Sequence, residues 1–194
     1  MSKQTKIIIG VVAGISVLCL ISCVVGFLVL RNVGSQVVSQ VEESTNTDPD
    51  AVNTDAASMA EFTLPPGYNP ETSTNLLGFK MAMYTNPENN HFLSLIQMPG
   101  QSEISEESIR QMREGMERRS SRGLQNLQTV EQRELTIRGK PAQLIIQEGT
   151  NDGTPVRQML VVFQGKGGLT MLMVMGAANT WDQAAYNNLV TSIH

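Results

Sequence analysis

The sequence has 194 residues, of which 41% are hydrophobic and only 5% aromatic, and its formal net charge is −4. That length suits about one domain, and the slight acidity excludes an electrostatic case for nucleic-acid binding. Both cysteines, Cys19 and Cys23, lie in the opening apolar run, so no disulfide can form within the rest of the chain.

The first predicted element is the uncharged apolar run from Ile7 to Leu30. A helix of this length spans a hydrocarbon core about 30 Å thick. A cleavable signal has a shorter apolar region, of about 7–15 residues, and a small-residue cleavage site that this run does not offer. The motif LISC, which ends at Cys23, resembles a bacterial lipobox, but apolar residues continue after it where a mature lipoprotein turns polar. The run predicts a single-pass transmembrane helix over residues 7–30, with lipidation of Cys23 as the alternative.

The charges on either side of this run predict its orientation. Lys3 and Lys6 precede it, whereas Arg31 is the only basic residue between the run and Lys80. Since positive charge stays on the cytoplasmic side, residues 1–6 are predicted to be cytoplasmic and the large domain to lie outside the cell membrane.

Small residues recur within the run at multiples of four. Gly10 and Gly14 form a G-x-x-x-G motif, and Ser22 and Gly26 continue the same stripe. Such a stripe lets two helix backbones approach closely, which favours a homodimer through the membrane helix. The alternative is that small residues are simply frequent in membrane helices.

Residues 31–60 are rich in Ser, Thr, Asn, Asp and Ala and nearly devoid of large apolar side chains after Val41. Such a composition buries too little surface to offset its ordering entropy. We therefore predict a flexible polar linker over 31–60 and a folded domain over 61–194.

Three strands and a helix are predicted in the first half of that domain. FTLPPGY reads as a short edge strand, and LLGFKMAMYT as a strand with Leu77, Phe79, Met81 and Met83 on one face. The turn NPENN leads into HFLSLIQMP, a third strand that starts at His91. A helix follows with Ser105 as its N-cap and a narrow stripe formed by Ile109, Met112 and Met116.

Four more strands and a closing helix complete the domain. TVEQRELTIRG and PAQLIIQEG flank a turn, and VRQMLVVFQG and GLTMLMVMG flank GKGG. The last pair is apolar on both faces, which is typical of strands covered on both sides. Thr180 and Gln183 predict a capping box for a helix that buries Ala185, Leu189 and Ile193. The fold class is therefore α+β, an antiparallel sheet flanked by helices after an N-terminal transmembrane helix.

This element order, with FTLPPGY at its start, a G-K-P-A turn and a closing W…NLVTSI helix, is similar to the PsbP-like proteins. These include extrinsic photosystem subunits and bacterial DcrB-like proteins that are anchored to membranes. The resemblance covers residues 62–193 and implies an αβα sandwich without a shared catalytic centre. Many members are accessory or binding modules, and no family site residue can be carried over to this sequence.

The residues that could carry chemistry form no recognised motif. The two histidines, His91 and His194, belong to no spaced ligand set, and His91 is expected to be a solvated turn residue. The segment GKGG at 165–168 lacks the spacing of a phosphate loop and is predicted to be a hairpin turn, as is NDG at 151–153.

Methionine is unusually abundant, with 11 residues. Met171, Met173 and Met175 alternate on one strand, and Met81 and Met83 on another. Thioethers are ligands for Cu(I), so these residues are the metal-site candidates, but methionine is also an adaptable core filler. We expect Met171, Met173 and Met175 to pack beneath a helix and to bind no metal.

The sequence thus predicts a membrane-anchored, non-catalytic binding or accessory module with no cofactor, an unidentified protein partner and no nucleic-acid ligand. The second hypothesis is a methionine-rich site for copper or a small ligand. The third is an enzyme whose acid–base pair is drawn from Glu131, Glu134 and Glu148 and assembled only by folding.

Overall fold

The computed structural model describes residues 44–99 and 124–194 and folds them into one antiparallel sheet with two helices. The spatial order of the strands is β1-β2-β3-β4-β8-β7-β6-β5. The strands are β1 Thr45–Asn46, β2 Asn69–Leu76, β3 Phe79–Asn86, β4 His91–Met98, β5 Leu124–Ile137, β6 Lys140–Asn151, β7 Thr154–Gln164 and β8 Leu169–Ala177. The helices are α1 Pro49–Met59 and α2 Gln183–Thr191, and a 3-10 turn at Ala178–Thr180 precedes α2. This arrangement confirms the predicted α+β class and the antiparallel sheet.

Several predictions fall on residues outside these ranges. They are the cytoplasmic segment 1–6, the transmembrane helix of residues 7–30 with its dimer face, the linker over residues 31–43, and the helix that starts after Ser105. They stay predictions. Within residues 44–99 and 124–194, neither helix has the length and apolar character needed to cross a membrane.

Both described helices pack on the same side of the sheet, called the helix face below. The core on this side combines their buried residues with alternate strand residues, such as Leu95 of β4 and Leu172 of β8. The intervening strand residues form the opposite side, called the methionine face, where Leu160 and Met171 belong to a second cluster. Leu172 is 0% exposed and its neighbour Met171 only 4%. This burial confirms that the strand is covered on both sides.

Helix α1 lies in the segment predicted to be a flexible linker, so that prediction is wrong for residues 44–60. Asp48 caps the helix by accepting hydrogen bonds from the backbone N–H groups of Asp50 (2.9 Å) and Ala51 (3.0 Å). Pro49 follows the cap, where its missing N–H costs nothing and its fixed φ suits the first helical turn.

The small residues of α1 let it pack closely on β2 and β3. The buried residues, spaced four and three apart, are Val52, Ala56 and Met59. On the adjacent side, the Asp55 carboxylate accepts a hydrogen bond from the Ser73 hydroxyl, which is fully buried. The compact unit consequently begins at Ser44 and not at Glu61.

The segment FTLPPGY, residues 62–68, is not a strand, in contrast to the prediction. The chain around it pairs with the C-terminus: the Glu61 N–H donates to the His194 carbonyl (3.1 Å), and the His194 N–H donates back (3.0 Å). The Thr63 N–H donates to the Ser192 hydroxyl (2.9 Å). The strand that precedes β3 is instead β2, whose sequence NPETSTNL is too polar to show an apolar alternation.

The predicted capping box at the start of α2 is also wrong. Asp182 is the N-cap, and its carboxylate accepts from the Ala185 N–H (2.9 Å). Thr180 lies in the preceding 3-10 turn, and the Gln183 side chain accepts a hydrogen bond from the Trp181 indole. Leu189 and Ile193 are buried as predicted, whereas Ala185 is only half-buried and Tyr186 and Val190 join the core instead.

Three hairpins close with the same two-residue turn. The turns are Leu77–Gly78, Arg138–Gly139 and Asp152–Gly153, and both residues of each have positive φ. This backbone geometry belongs to the turn type that prefers Asn or Asp before Gly. Leu77, at φ 52°, is therefore strained, and its side chain is 89% exposed, so that packing does not compensate the strain.

We predict that Leu77→Asn raises the free energy of unfolding by about 1 kcal/mol, because asparagine tolerates the left-handed conformation and no buried contact is lost. The measurement is denaturant unfolding of the detergent-solubilised chain, followed through the fluorescence of the single tryptophan, Trp181. The reciprocal change Asp152→Leu, in the matched turn, should lower it by a similar amount. A less stable Leu77→Asn protein would contradict the strain assignment.

Candidate functional site

His91 is a buried residue of the helix face and not a solvated turn residue, so that prediction is wrong. It is the first residue of β4 and only 2% exposed. Phe92 pairs with Met175 in the β4–β8 ladder, so His91 lies across from Gly176. A Cβ atom at Gly176 would be 1.8 Å from the His91 ring, which explains why only glycine fits there. Sequence periodicity could not reveal this contact, since it depends on a strand 85 positions away.

The His91 ring is part of a chain of hydrogen-bonding side chains. Its Nδ1 lies 2.6 Å from the Tyr186 hydroxyl and its Nε2 lies 2.8 Å from the Thr180 hydroxyl. Thr180 donates to the Ala177 carbonyl (3.3 Å), and Tyr186 lies 3.1 Å from the Tyr68 hydroxyl. One assignment satisfies every group: Nε2–H donates to Thr180, and Nδ1 accepts from Tyr186. The ring is therefore assigned as neutral.

Aromatic side chains enclose this cluster. Trp181 and Tyr186 have ring centroids 4.4 Å apart, and the His91 centroid lies 6.1 Å from that of Trp181. The guanidinium carbon of Arg157 lies 5.9 Å from the Trp181 centroid, and Arg157 forms an ion pair with Glu148. In the β4–β8–β7 ladders, His91 and Arg157 lie on either side of Gly176 on the same face of the sheet, and the Trp181 ring contacts both side chains.

Burial sets the proton affinities of the cluster. It lowers the pKa of His91, with a smaller opposing effect from a hydrogen bond to the Ala177 backbone. Burial likewise raises the pKa of Tyr68 and of Tyr186. All three groups therefore favour their neutral forms. The hydrogen bonds of the cluster connect β4 to α2 and to the segment before β2, so the cluster stabilises the fold.

The five candidate methionines lie together on the methionine face. In the β3–β4–β8 ladders, Ile96 lies between Met81 and Met171, and Ser94 lies between Met83 and Met173. Met175 is next along β8. The sequence identified the two groups separately, and the register unites them across β4. Met171 is buried, and the other four are half-buried.

Two buried polar atoms on this face have no hydrogen-bond partner among residues 44–99 and 124–194, the Ser94 hydroxyl oxygen and the Gln158 side-chain carbonyl oxygen. Ser94 and Gln158 are each 3% exposed. The Gln158 amide nitrogen lies 3.2 Å from the Met173 sulfur, a weak acceptor. The face is thus apolar with a small polar centre. The helix expected to cover it lies outside the described residues.

The three candidate carboxylates do not share one face of the sheet, and two of them form ion pairs. Glu131 forms an ion pair with Arg133 (3.2 Å), and Glu148 pairs with Arg157. Glu134 lies opposite Gln143, an odd number of residues from Glu148 along β6, so the two carboxylates belong to opposite faces. The acid–base hypothesis gains no geometric support.

A shallow cleft of about 380 Å³ lies between α1 and the chain that follows it. Phe62 and Tyr84 form its aromatic wall, with ring centroids 6.2 Å apart and an edge-to-face arrangement. The Tyr84 hydroxyl donates to the side-chain amide oxygen of Asn53 (3.2 Å), and burial raises the pKa of Tyr84 to about 12. Ala57, exposed on α1, and His194 complete the rim.

No protein-family model and no curated protein sequence matches this chain. Among solved structures, cyanobacterial PsbP (CyanoP) from Synechocystis matches over 77% of this chain and 90% of its own, with a TM-score of 0.53 and 13% identity. The fold is PsbP-like. The structural match therefore confirms the fold that the resemblance implied, and at this identity it establishes the fold alone.

Two other structures match less closely. LpqN, described as involved in cell envelope biogenesis of Mycobacterium tuberculosis, aligns with a TM-score of 0.39 and 13% identity, over 69% of this chain and 81% of its own. Protein PA94 from Pseudomonas aeruginosa aligns with a TM-score of 0.38 and 7% identity, over 55% of this chain and 83% of its own. Neither carries a functional argument here.

We predict that the free energy of unfolding falls as the pH drops from about 7 to about 5. The unfolded chain binds a proton at His91 below its ordinary pKa of about 6.5, whereas the folded chain, with a lowered pKa, does not. Because the unfolded state then holds more protons, acid favours unfolding. Denaturant midpoints across this range measure the effect.

The matched controls are His91→Gln and His194→Gln. Removing His91 should flatten the pH dependence, even though the variant is less stable at every pH. His194 is exposed and lies 3.4 Å from the Glu61 carboxylate, outside the cluster, so its replacement is the control for losing a histidine elsewhere in the chain. A slope that follows His194 would refute the assignment to the buried cluster.

Proposed function

We propose that this chain is a single-pass membrane protein that presents a non-catalytic PsbP-like binding module outside the cytoplasmic membrane. The anchor is the apolar run of residues 7–30, and Lys3 and Lys6 orient it with the N-terminus in the cytoplasm. The stripe of Gly10, Gly14, Ser22 and Gly26 supports a homodimer through the same helix. The module is the compact unit that begins at Ser44.

One observation carries the non-catalytic part of this proposal: His91 uses both ring nitrogens inside the core. A general acid or base needs a nitrogen that can reach a substrate. The Nδ1 and Nε2 atoms are instead engaged by Tyr186 and Thr180, and the ring is 2% exposed. Glu148, a candidate acid, is likewise paired with Arg157.

The cleft beside α1 is the proposed contact for a protein partner. It combines an aromatic wall, Phe62 and Tyr84, with polar groups at its rim, and such concave apolar sites with a few polar groups are where ligands bind. Ala57 occupies the exposed side of α1 at this cleft. A partner side chain that fills the cleft would replace water on the aromatic surface.

The topology is tested by adding protease to intact cells and to lysed cells. We expect the Ser44–His194 unit to be digested or released in intact cells, because the tether of residues 31–43 is then accessible outside. Complete protection until lysis would reverse the orientation. Carbonate extraction of the same samples provides the control, since an integral anchor stays in the membrane pellet.

The binding role is tested by capture of the full-length chain from solubilised membranes, with two matched variants on α1. Ala57→Arg places a long charged side chain at the cleft, whereas Thr54→Arg places it on the same helix away from the cleft lining. A specific partner should be lost with the first variant and retained with the second. Equal retention by both would refute the cleft as the contact.

A second candidate function is a soft-metal site for copper on the methionine face. Its support is that Met83 and Met173 flank the small Ser94, while Met81, Met171 and Met175 surround them. Thioethers meeting over a serine would offer Cu(I) several sulfur ligands. The same cluster is equally what a methionine-rich core would look like.

Stability and Cu(I) titration of Met173 variants separate these two roles. Met173 is a core residue that is only half-buried. Met173→Ala should therefore lower the free energy of unfolding by about 2 kcal/mol, the low end of the range for such changes. Met173→Leu keeps the volume without the sulfur and should cost less than about 1.5 kcal/mol. Stoichiometric Cu(I) binding by the wild type that is lost in Met173→Leu would favour the metal site over the core role.

A further inference from the structure

The β2–β3 turn exposes apolar side chains where the other hairpins are polar. Leu77 is 89% exposed and Phe79, next to the turn, is 37% exposed. The matched turn Asp152–Gly153 has nearly the same backbone, with φ 48° at Asp152 against 52° at Leu77. A strained leucine that contacts solvent contributes nothing to folding, so its use points to a surface that receives it.

The chain enters the folded unit beside this turn. The Asn75 N–H donates to the Ser44 carbonyl (3.0 Å), and Thr45 pairs with Thr74 in β1 and β2. Ser44 therefore lies beside Asn75 of β2, which is two residues before Leu77. Residues 31–43, which connect Ser44 to the apolar run, span at most about 45 Å when fully extended. The tether thus reaches the folded unit at the end that carries the exposed apolar turn.

That end of the sheet is also basic. In the antiparallel order, the β2–β3, β5–β6 and β7–β8 turns share one end, and the β3–β4 and β6–β7 turns share the other. The first end carries Lys80, Arg138, Lys140 and Lys166, of which Lys166 is paired with Glu61. The opposite turns carry Glu88 and Asp152. Basic residues beside exposed apolar ones match the surface of an anionic bilayer.

We propose that the β2–β3 hairpin tip, Leu76–Phe79, inserts into the interfacial region of an anionic membrane, while Arg138 and Lys140 lie over its headgroups. This inference rests on the proposed membrane anchorage. Leu77 and Phe79 would then transfer apolar area from water to lipid. The contact fixes which end of the sheet faces the membrane and leaves the opposite end, near His91, directed away from it.

Lipid explains the tip better than a protein partner does. Two exposed apolar side chains cover far less than the roughly 1,000 Å² that a specific protein interface needs. Insertion of a few apolar groups is weak on its own, but a short tether makes it intramolecular, with an effective concentration of about the millimolar range. The anchor therefore supplies the effective concentration that makes the weak insertion of the tip favourable.

The test uses the full-length chain in vesicles of equal parts phosphatidylcholine and phosphatidylglycerol. Cys19 and Cys23 are replaced by serine, and an environment-sensitive fluorophore is attached at Asn75→Cys or, as the control, at Asn151→Cys. Both positions are exposed and lie at opposite ends of the sheet, Asn75 two residues before the β2–β3 turn and Asn151 immediately before the β6–β7 turn. We expect the fluorophore at position 75 to shift to shorter wavelengths and to be quenched by nitroxide-bearing lipids, and the one at position 151 to do neither.

In the double variant Leu77→Asn and Phe79→Thr, the fluorophore at position 75 should show no blue shift and no quenching by lipid, like the one at position 151. Misfolding cannot explain this loss if the unfolding midpoint is kept, which the relief of strain at Leu77 favours. Replacing Arg138 and Lys140 by glutamine should weaken the quenching, because it removes the charges that attract anionic headgroups. Added salt should weaken it as well, because it screens those charges.

Each failure has its own signature. A chain that does not float with the vesicles refutes the anchorage and with it this inference. A chain that floats but keeps an aqueous signal at position 75 overturns the hairpin inference alone. The fluorophore at position 75 could also shift in native membranes but not in vesicles that contain only this chain and lipid. That result would identify a protein as the partner of the hairpin tip and overturn the assignment to lipid.

Discussion

The pairing of β4 with β8 is the interaction on which the rest of the structure depends. It joins two antiparallel meanders, β1–β4 and β5–β8, into one sheet. Its register sets Leu95 against Leu172 on the helix face and Ser94 against Met173 on the methionine face. A slip of one residue would exchange the two faces, expose the core leucines and remove His91 from its place over Gly176. The pairing is between strands distant in sequence, so its loop-closure entropy is offset only by the apolar burial on both sides.

Helix α1 extends the folded unit toward the N-terminus. Because it packs on β2 and β3 through small residues, the folded unit starts at Ser44 and not at Glu61. Ser44 lies at the end of the sheet that carries the apolar β2–β3 turn and the basic turns. The aromatic cluster around His91 belongs to the other end and keeps its neutral, buried chemistry for holding α2 in place.

Several elements could be predicted because their signals are local. The strands β3, β4, β6, β7 and β8, the turns at Arg138–Gly139 and Gly165–Gly168, and a closing helix follow from apolar periodicity and turn residues. The linker error is different in kind: Asp48 and Pro49 are a readable cap and first turn, and Val52, Ala56 and Met59 have helical spacing. The polar composition of residues 31–60 nevertheless favoured a linker. By contrast, β2 has no apolar alternation, because its buried position is a serine bonded to Asp55.

The sequence by itself determined the class of the fold, the apolar run at its start and the two methionine groups, since each depends on residues that are close along the chain. Only the tertiary structure decided which residues meet. It united Met81 and Met83 with Met171, Met173 and Met175 across β4, separated Glu134 from Glu148 onto opposite faces, and buried His91. The physical reason is that strand order and register are set by the total burial of both sheet faces, a property of the whole sheet that no single segment carries.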